Sequence, residues 1–306
     1  MKKLLALVLT LALCLSFTAC SSSDSSSSSE SEEAVSSEAE SSTESTAEES
    51  TESATTATEN SDLADILANA DGRLADILSA GKITIATEGD WSPWTYHDET
   101  TNELTGFDVE LGNAIAEKLG VTAEFQETTW DAILSGVESG RFDLACNGVG
   151  YTDERAESYN FSEPYIYTKM VLMVQSDNED ITSFEDLAGK TTANSVGSTY
   201  ATVAEEYGAT VNNVDTLDQT LELLVQGRVD ATLNAEVSYL DYMNAHPDAQ
   251  IKVVAKSEGE KVCIPAAKED TDSLIAAVNA IIAQMREDGS LAELSEKYFN
   301  GDITNP

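Results

Sequence analysis

Arg155 is the side chain in this sequence best suited to bind an anion. The chain has 16 Lys and Arg residues against 56 Asp and Glu residues, a formal net charge of −40, so cationic groups are few. A guanidinium can hold a carboxylate through two parallel hydrogen bonds, which an ammonium group does less well. The residues leave two roles open for Arg155: it binds a carboxylate ligand, or it forms a surface ion pair with Asp153 or Glu154.

A helix that opens at residues 197–199 is predicted to provide a second anion-binding element. The first N–H groups of a helix have no acceptor within the helix and lie at the positive end of its dipole. Such a helix end can hold a carboxylate. The alternative is that Ser198 is a helix N-cap with no role in binding.

Trp91, Trp94 and Trp130 are all the tryptophans of the chain, and two of them lie in one predicted loop. Tryptophan is buried in a core more often than it lines a ligand site. Glu88 follows the first predicted strand, near this loop. A carboxylate beside aromatic faces favours a cationic or polar ligand group.

Several classes of function are excluded by composition and motif. A protein this acidic repels a phosphate backbone, so we expect no nucleic-acid partner. His97 and His246 lie in predicted loops without a visible partner. The sequence contains no Ser–His–Asp arrangement, metal-ligand spacing or phosphate-binding loop. We therefore expect no catalysis, no cofactor and no metal site.

The first 60 residues are predicted to direct and tether the protein. Residues 1–20 begin with two lysines, continue with an apolar stretch and end in small residues, as a secretory signal does, and no apolar run is long enough to span a bilayer. The end of this segment resembles a bacterial lipobox, in which Cys20 is lipidated, although Phe17 stands where Leu is usual; the alternative is ordinary secretion. Residues 21–60 hold 16 Ser and 11 acidic residues and no aromatic residue, which predicts a disordered tether.

Residues 61–306 alternate between strand and helix patterns, which predicts an α/β fold with parallel strands and a ligand bound beyond their carboxyl ends. The predicted strands are 82–87, 121–126, 142–146, 170–175, 191–194, 211–214, 230–233 and 252–255. The predicted helices are 63–67, 74–78, 106–120, 130–138, 183–188, 198–207, 217–226, 238–244, 272–285 and 291–298. Residues 90–101 are predicted to be an irregular loop. Two alternating units in succession predict two lobes with a cleft between them.

Residues 106–111, followed by Ile115, Ala116 and Leu119, match the signature of family 3 extracellular solute-binding proteins. The resemblance runs from about residue 73 to residue 299. Further landmarks of the family occur in order at 152–155, 161–165, 197–199, 227–230 and 288–299. The resemblance implies a type II periplasmic-binding-protein fold of two lobes with a hinge, in which lobe 1 comprises about 73–165 plus 262–306 and lobe 2 about 166–261.

The resemblance also implies roles for individual residues. Arg155 matches the arginine that binds the α-carboxylate of the substrate, and the helix end at Ser198 and Thr199 holds the same carboxylate from the opposite lobe. Trp91 and Trp130 match walls of the pocket. Glu88 faces the same region, whereas Trp94 is expected to pack within lobe 1.

The sequence departs from the family pattern at four positions. Ala235 stands where relatives usually have an Asp that binds the substrate ammonium group, and Asn147, Gly148 and Gly150 stand where hydroxyl residues are common. An unpaired buried ammonium group is costly. Either Glu236 or Glu88 replaces the missing Asp, or the ligand is not a simple α-amino acid.

The function implied by the resemblance is the substrate-binding component of an ABC importer. We expect a monomer, lipid-anchored outside the cell membrane, that captures a polar or cystine-like amino acid by lobe closure and delivers it to a permease driven by an ATPase. The alternatives are binding of an amine-free carboxylate, a dehydratase-like enzyme, or a tethered sensor on the same fold. Cys146 and Cys263, too few for a disulfide framework, either pair or stay buried and reduced, and the reduced form is expected.

Overall fold

The structure, a computed structural model, describes residues 62–306. The predicted signal peptide, the lipidation site Cys20 and the tether at 21–60 lie outside the described residues. Within the described part, no helix is both long and apolar enough to cross a membrane.

Most predicted elements are confirmed to within a few residues. The strands are β1 (Lys82–Thr87), β2 (Asp90–Trp91), β3 (Thr95–His97), β4 (Leu104–Thr105), β5 (Thr122–Glu127), β6 (Leu144–Ala145), β7 (Tyr159–Phe161), β8 (Ile166–Gln175), β9 (Thr191–Asn194), β10 (Thr210–Asn213), β11 (Thr232–Ala235), β12 (Ile251–Val262) and β13 (Pro265–Ala267). The helices are α1 (62–68), α2 (Gly72–Ala80), α3 (Phe107–Leu119), α4 (Trp130–Glu138), α5 (Asp153–Ser158), α6 (Thr199–Glu206), α7 (Leu217–Val225), α8 (Glu236–Ala245), α9 (Asp272–Glu287) and α10 (Ser290–Phe299), and Phe184–Leu187 form a 3₁₀ turn.

A parallel sheet with the strand order β5–β1–β6 forms the centre of lobe 1. Ile83 and Ile85 on β1 are fully buried, in one apolar cluster with residues of α2, α3 and α9. Ala86, on the opposite face of β1, is fully buried in a second apolar cluster, and burial on both faces is typical of a parallel sheet. Glu88 directly follows the carboxyl end of β1, and Asn147 lies two residues beyond the carboxyl end of β6. Both residues therefore lie at the same edge of the sheet.

The prediction of an irregular loop at 90–101 is wrong. Strands β2, β3 and β4 form a small antiparallel sheet in which Asp90 pairs with Tyr96 and Tyr96 pairs with Thr105. Each strand has only two or three residues, which is too short for an alternating pattern to emerge. The sheet holds Trp91 and Trp94 on its first turn, where Trp94 N–H donates to the carbonyl oxygen of Trp91 at 3.0 Å.

Lobe 2 combines parallel and antiparallel pairing. Strands β9 and β10 are parallel, as predicted, but β8 pairs antiparallel with both β11 and β12. The expectation of parallel strands is therefore wrong for β8, β11 and β12. The chain enters lobe 2 along β8 and leaves it along β12, so these two strands must run in opposite directions.

The two crossing strands are hydrogen-bonded to each other and to lobe 1 where they pass between the lobes. Ile166, the first residue of β8, pairs with Val262, the last residue of β12, and Val262 also forms a bridge with Gly150. A buried hydrogen bond from Trp94 Nε1 to Ser238 Oγ, 3.2 Å long, joins lobe 1 to α8 of lobe 2. The lobes therefore contact each other directly beside the hinge.

Cys146 and Cys263 are both buried and carry free thiols. The expectation of reduced, packed cysteines is confirmed. Burial raises the pKa of both thiols, so neither is poised for nucleophilic chemistry.

Candidate ligand-binding cleft

A cavity of about 720 Å³, which includes its open mouth, lies between the lobes. The structure brings together at this cavity all the predicted site residues except Asn147 and Ala235. Those that line it are Glu88, Trp91, Trp130, Gly148, Gly150, Arg155, Ser198 and Thr199.

Arg155 lies on the short helix α5, and its guanidinium spans the cleft. Nη1 donates to the carbonyl oxygen of Gly150 at 2.8 Å, and Nη2 donates to the carbonyl oxygen of Gly197 in lobe 2 at 3.0 Å. The group also lies 5.4 Å from the ring centroid of Trp130. Burial lowers the pKa of Arg155, which means that a negative ligand group would relieve the cost of desolvating it. The alternative of a surface ion pair with Asp153 or Glu154 is not what the structure contains.

The start of α6 faces the same cavity. The Ser198 hydroxyl accepts a hydrogen bond from Ala201 N at 3.1 Å and donates to Ser195 O at 2.8 Å, so it is the N-cap of this helix. The N–H groups of Thr199 and Tyr200 have no acceptor within the helix. The predicted helix start is therefore present, with Ser198 as its N-cap.

The Trp91 ring lines the cavity, and its position depends on the absence of a side chain at Gly148. The Trp91 ring stacks on Trp94 with centroids 5.5 Å apart. Gly148 has φ +57°, and a Cβ there would lie 2.7 Å from Cζ3 of Trp91. The Gly148 N–H donates to the carboxylate of Asp108, which also accepts from the Tyr165 hydroxyl at 2.8 Å. Trp91 is 8% exposed, yet its Nε1 has no hydrogen-bond partner among the described residues.

Asn147 lies behind the cavity wall rather than on it. It is fully buried; its Nδ2 donates to Glu88 Oε2 at 2.7 Å and its Oδ1 accepts from Glu88 N at 2.8 Å. The expectation that Asn147 contacts ligand is corrected to a positioning role, because both of its polar atoms are used to hold Glu88. Burial raises the pKa of Glu88 to about 7, against the opposing effect of the Asn147 hydrogen bond.

Ala235 is also not part of the cavity wall of the described structure. It is fully buried at the end of β11 and precedes the first residue of α8, while its neighbour Asn234 lines the cavity instead. Successive residues of a strand point to opposite faces, which explains the difference of one position. Glu236, one candidate for the missing Asp, forms an ion pair with Lys256 and does not line the cavity.

Several polar residues of the cavity were missed by the sequence analysis, among them Glu260 and Asn194. Glu260 lies on β12, beyond the predicted end of that strand at 255, and burial raises its pKa to about 7 while Arg155 lowers it. Asn194 is 2% exposed, and its Nδ2 donates to Leu233 O at 2.7 Å. Because a carbonyl can only accept, this bond fixes the orientation of the amide, and Asn194 Oδ1 is left without a partner among the described residues. Residues 256–261 contain no apolar residue, so no alternating pattern in the sequence marked Glu260.

The mouth of the cavity is acidic. Asp90 and Asp215 line it beside Glu88. Burial raises the pKa of Asp90, and the negative charges of Asp218 and Asp215 raise it further. The cavity thus combines one guanidinium and a helix N-terminus with several carboxylates, which is the charge pattern that fits a ligand with both a carboxylate and at least one ammonium group.

Comparison with known proteins places the chain among solute receptors. Residues 83–301 match the family model for bacterial extracellular solute-binding proteins, family 3. The chain is 37% identical to the L-cystine-binding protein TcyA of Bacillus subtilis over 76% of this chain and 87% of that protein. It is 38% identical to a probable amino-acid ABC transporter-binding protein of Haemophilus influenzae, over 82% of this chain and 97% of that one.

Two solved structures show how the lobes compare. An ancestral arginine-binding protein bound to arginine is 33% identical, with a TM-score of 0.67 over 72% of this chain and 98% of that chain. The L-cystine solute receptor of Neisseria gonorrhoeae in its unliganded open conformation is 38% identical, with a TM-score of 0.53 over 77% of this chain and 100% of that chain. The receptor that is more similar in sequence gives the lower TM-score of the two.

Proposed function

The chain belongs to the bacterial extracellular solute-binding proteins of family 3, and on that premise we propose that it captures a polar or cystine-like amino acid for an ABC importer. The observation that carries the proposal is the position of Arg155, whose guanidinium lies in the cleft within reach of both lobes. A ligand carboxylate bound there would contact Arg155 and the N–H groups at the start of α6 together.

Ligand capture proceeds by closure of the lobes. The closed arrangement brings the carbonyl oxygen of Gly197 to Arg155 and Ser238 to Trp94, contacts that join lobe 1 to lobe 2. A ligand that bridges Arg155 and α6 adds contacts that only the closed state can make, and this difference in affinity shifts the equilibrium toward closure. The closed form then presents a defined surface to a permease driven by its ATPase.

The chemistry of the cavity supports an amino acid over an amine-free carboxylate. An amine-free acid would satisfy Arg155 but would leave Glu88, Glu260 and Asp90 facing its chain without a cation. Asn194 Oδ1 has no hydrogen-bond partner among the described residues, and a donor group on the ligand would supply one. Relatives whose names state a ligand bind L-cystine or arginine, both of which carry more than one cationic group.

Members of this family are solute-binding proteins of transporters rather than enzymes, and the dehydratase and sensor alternatives are not favoured. We further propose that the protein is a monomer held outside the cell membrane by a lipid on Cys20. The support for the anchor is the lipobox-like end of the signal segment and the acidic, serine-rich stretch that follows it. Mass spectrometry of the mature N-terminus checks this proposal.

The test of the function is a thermal-shift panel on the purified protein after bound ligand has been removed by unfolding and refolding. The panel contains the common amino acids, L-cystine and amine-free carboxylates. A ligand at 100 times its dissociation constant adds about 2.7 kcal/mol to the free energy of unfolding. We expect a strong shift with one class of polar or cystine-like amino acid. Shifts with amine-free acids alone, or with none of the compounds, would contradict the proposal.

A further inference from the structure

The cavity needs a carboxylate close to Arg155 if its ligand is an α-amino acid. In such a ligand the ammonium and carboxylate groups share one carbon atom, so the two must be bound side by side. Ala235 offers no charge, and Glu236 is committed to Lys256 outside the cavity. Four carboxyl groups line the cavity, those of Glu88, Asp90, Asp215 and Glu260, and of these Glu260 raises the pKa of Arg155.

The geometry of β12 directs Glu260 into the cleft. Glu260 pairs with Thr168 of β8, and Val262 pairs with Ile166. Thr168, Glu260 and Val262 all line the cavity, whereas Lys261, between the last two, is exposed. The pairing of β12 with β8 shifts register between Lys256 and Gly259, and such irregularities re-aim side chains next to binding sites.

The Glu260 carboxylate has no hydrogen-bond donor among the described residues around it. Within residues 62–306, its side chain accepts no hydrogen bond, and it is not in direct ion-pair contact with Arg155. Arg155, Tyr200 and Glu260 line the same cavity, and the charge of Arg155 lowers the pKa of Glu260 against the larger effect of burial. A buried carboxylate without a donor in this cavity can accept a hydrogen bond from an ammonium group of the ligand.

Glu88 is the rival and is differently placed. One of its oxygens already accepts from Asn147 Nδ2, and its backbone N–H is bound to Asn147 Oδ1. It lies at the acidic mouth with Asp90 and Asp215. Its position suits a polar or cationic group farther along the ligand.

We propose that Glu260 binds the α-ammonium group of the ligand whose α-carboxylate Arg155 binds, and so replaces the carboxylate that is missing at Ala235. The inference rests on the proposed function. Because Glu260 lies on one of the two strands that cross the hinge, it places the ammonium contact at the pivot of closure rather than on the far wall of lobe 2. The amino group is then bound by a residue of β12 and not by a residue of β11.

The test compares each amino acid with its deaminated acid, in which hydrogen replaces the ammonium group. The probes are L-cystine, L-arginine and L-glutamine with their deaminated counterparts, titrated calorimetrically into wild type, Glu260→Gln, Glu260→Asp and Glu88→Gln. Glu236→Gln is the matched control, because it makes the same chemical change outside the cavity. Thermal melts of the ligand-free variants verify that each is folded.

We expect Glu260→Gln to weaken binding of the amino acid about 100-fold and to change binding of the deaminated acid less than about threefold, because only the ammonium contact is lost. Glu260→Asp should give an intermediate loss, and Glu236→Gln should match wild type. Equal losses for both members of a pair, or an ammonium-selective loss in Glu88→Gln alone, would overturn the assignment. If wild type binds none of the amino acids, the proposed function fails first and the assignment falls with it, an outcome that is visible before any variant is measured.

Discussion

Glu88 and Glu260 are the same residue type, line the same cavity and have pKa values raised to about 7 by burial, yet their surroundings differ. Glu88, in lobe 1, accepts a hydrogen bond from Asn147, a fully buried side chain. Glu260, on the hinge strand β12, is held by no hydrogen bond from the described residues. The difference teaches that the wall in lobe 1 holds its carboxylate through a protein donor, whereas the wall at β12 leaves its carboxylate without one among the described residues.

The remaining cavity residues follow the same division. On the side of lobe 1, Trp91 packs on Trp94 and is shaped by Gly148, whose backbone is tied to Asp108. On the side of lobe 2, Asn194 lacks a partner for Oδ1 among the described residues. Trp91 Nε1 is the exception, a donor on the assembled wall that has no acceptor there. A pre-assembled wall reduces the entropy lost on binding, whereas unpaired groups supply selectivity.

Replacement of Arg155 should have the largest effect on ligand binding, because its guanidinium contacts both walls of the cavity. Arg155→Ala should weaken ligand binding about 100- to 1,000-fold, since the ligand carboxylate would be desolvated without a counter-charge. Arg155→Lys should recover part of the loss, because it restores the charge but not the forked geometry. Isothermal titration with the amino acid identified in the panel measures both effects.

Arg141→Ala is the control for charge alone. Arg141 is exposed and lies 4.8 Å from the ring centroid of Phe142, and it does not line the cavity. The variant should bind like wild type. Unchanged affinity in Arg155→Ala would show that the ligand carboxylate is bound elsewhere and would remove the basis of the anchoring scheme.

The assembled wall is tested by Gly148→Ala. A Cβ at this position would lie 2.7 Å from Trp91 Cζ3 and 2.9 Å from Cη2, so the ring must move out of its stacked position. We expect about a tenfold loss of ligand affinity together with lower stability, measured by titration and by thermal melting. Gly140→Ala has a comparable left-handed φ, +71°, but no atom within 4 Å of the new Cβ. It should lower stability alone, and a similar loss of affinity in both variants would mean that Trp91 does not shape the site.

An increase in pH should change the stability of the protein and its affinity for the ligand in opposite directions. The pKa of Glu88, Glu260 and Asp108 is raised to about 7 in the folded protein, so between pH of about 4.5 and 7 the folded state binds more protons than the unfolded state. The stability of the ligand-free protein should therefore fall as the pH rises through this range. Binding of an ammonium group needs ionised Glu260, so affinity should instead rise about tenfold from pH 6 to pH 8.

Thermal melts and titrations across this pH range measure the two slopes on one sample. Glu260→Gln removes the group assigned to the ammonium and should flatten the binding slope while it leaves the contribution of Asp108 to stability. Parallel slopes for stability and affinity would show that the raised carboxyl groups do not meet the ligand cation.

The sequence predicted the fold of lobe 1 better than that of lobe 2, for physical reasons. The buried parallel strand β1 and the helix α4 were predicted with their observed bounds, because their apolar periodicity is long enough to read. The antiparallel direction of β8 and β12 could not be read from periodicity, since it follows from the chain passing twice between lobes. The strands β2 to β4 were missed because each is too short for alternation to be detected.

The site shows the same limit at the level of single residues. Arg155, Trp91 and Trp130 reach the cavity as the resemblance implied. Asn147 and Ala235 do not line the cavity as predicted. Ala235 ends β11, where the face on which a residue lies depends on a register that sequence alone does not determine. Glu260 was missed because the predicted strand ended at residue 255, whereas β12 continues to Val262.

The placement of the tryptophans has an optical consequence. All three tryptophans of the chain line one cavity: Trp91 stacks on Trp94, and Trp130 faces the guanidinium of Arg155. Indole emission depends on the polarity and charge around the ring, and no tryptophan elsewhere in the sequence dilutes the signal. The tryptophan fluorescence of this protein is therefore emitted from this cavity alone, and the molecule carries a built-in reporter of changes there.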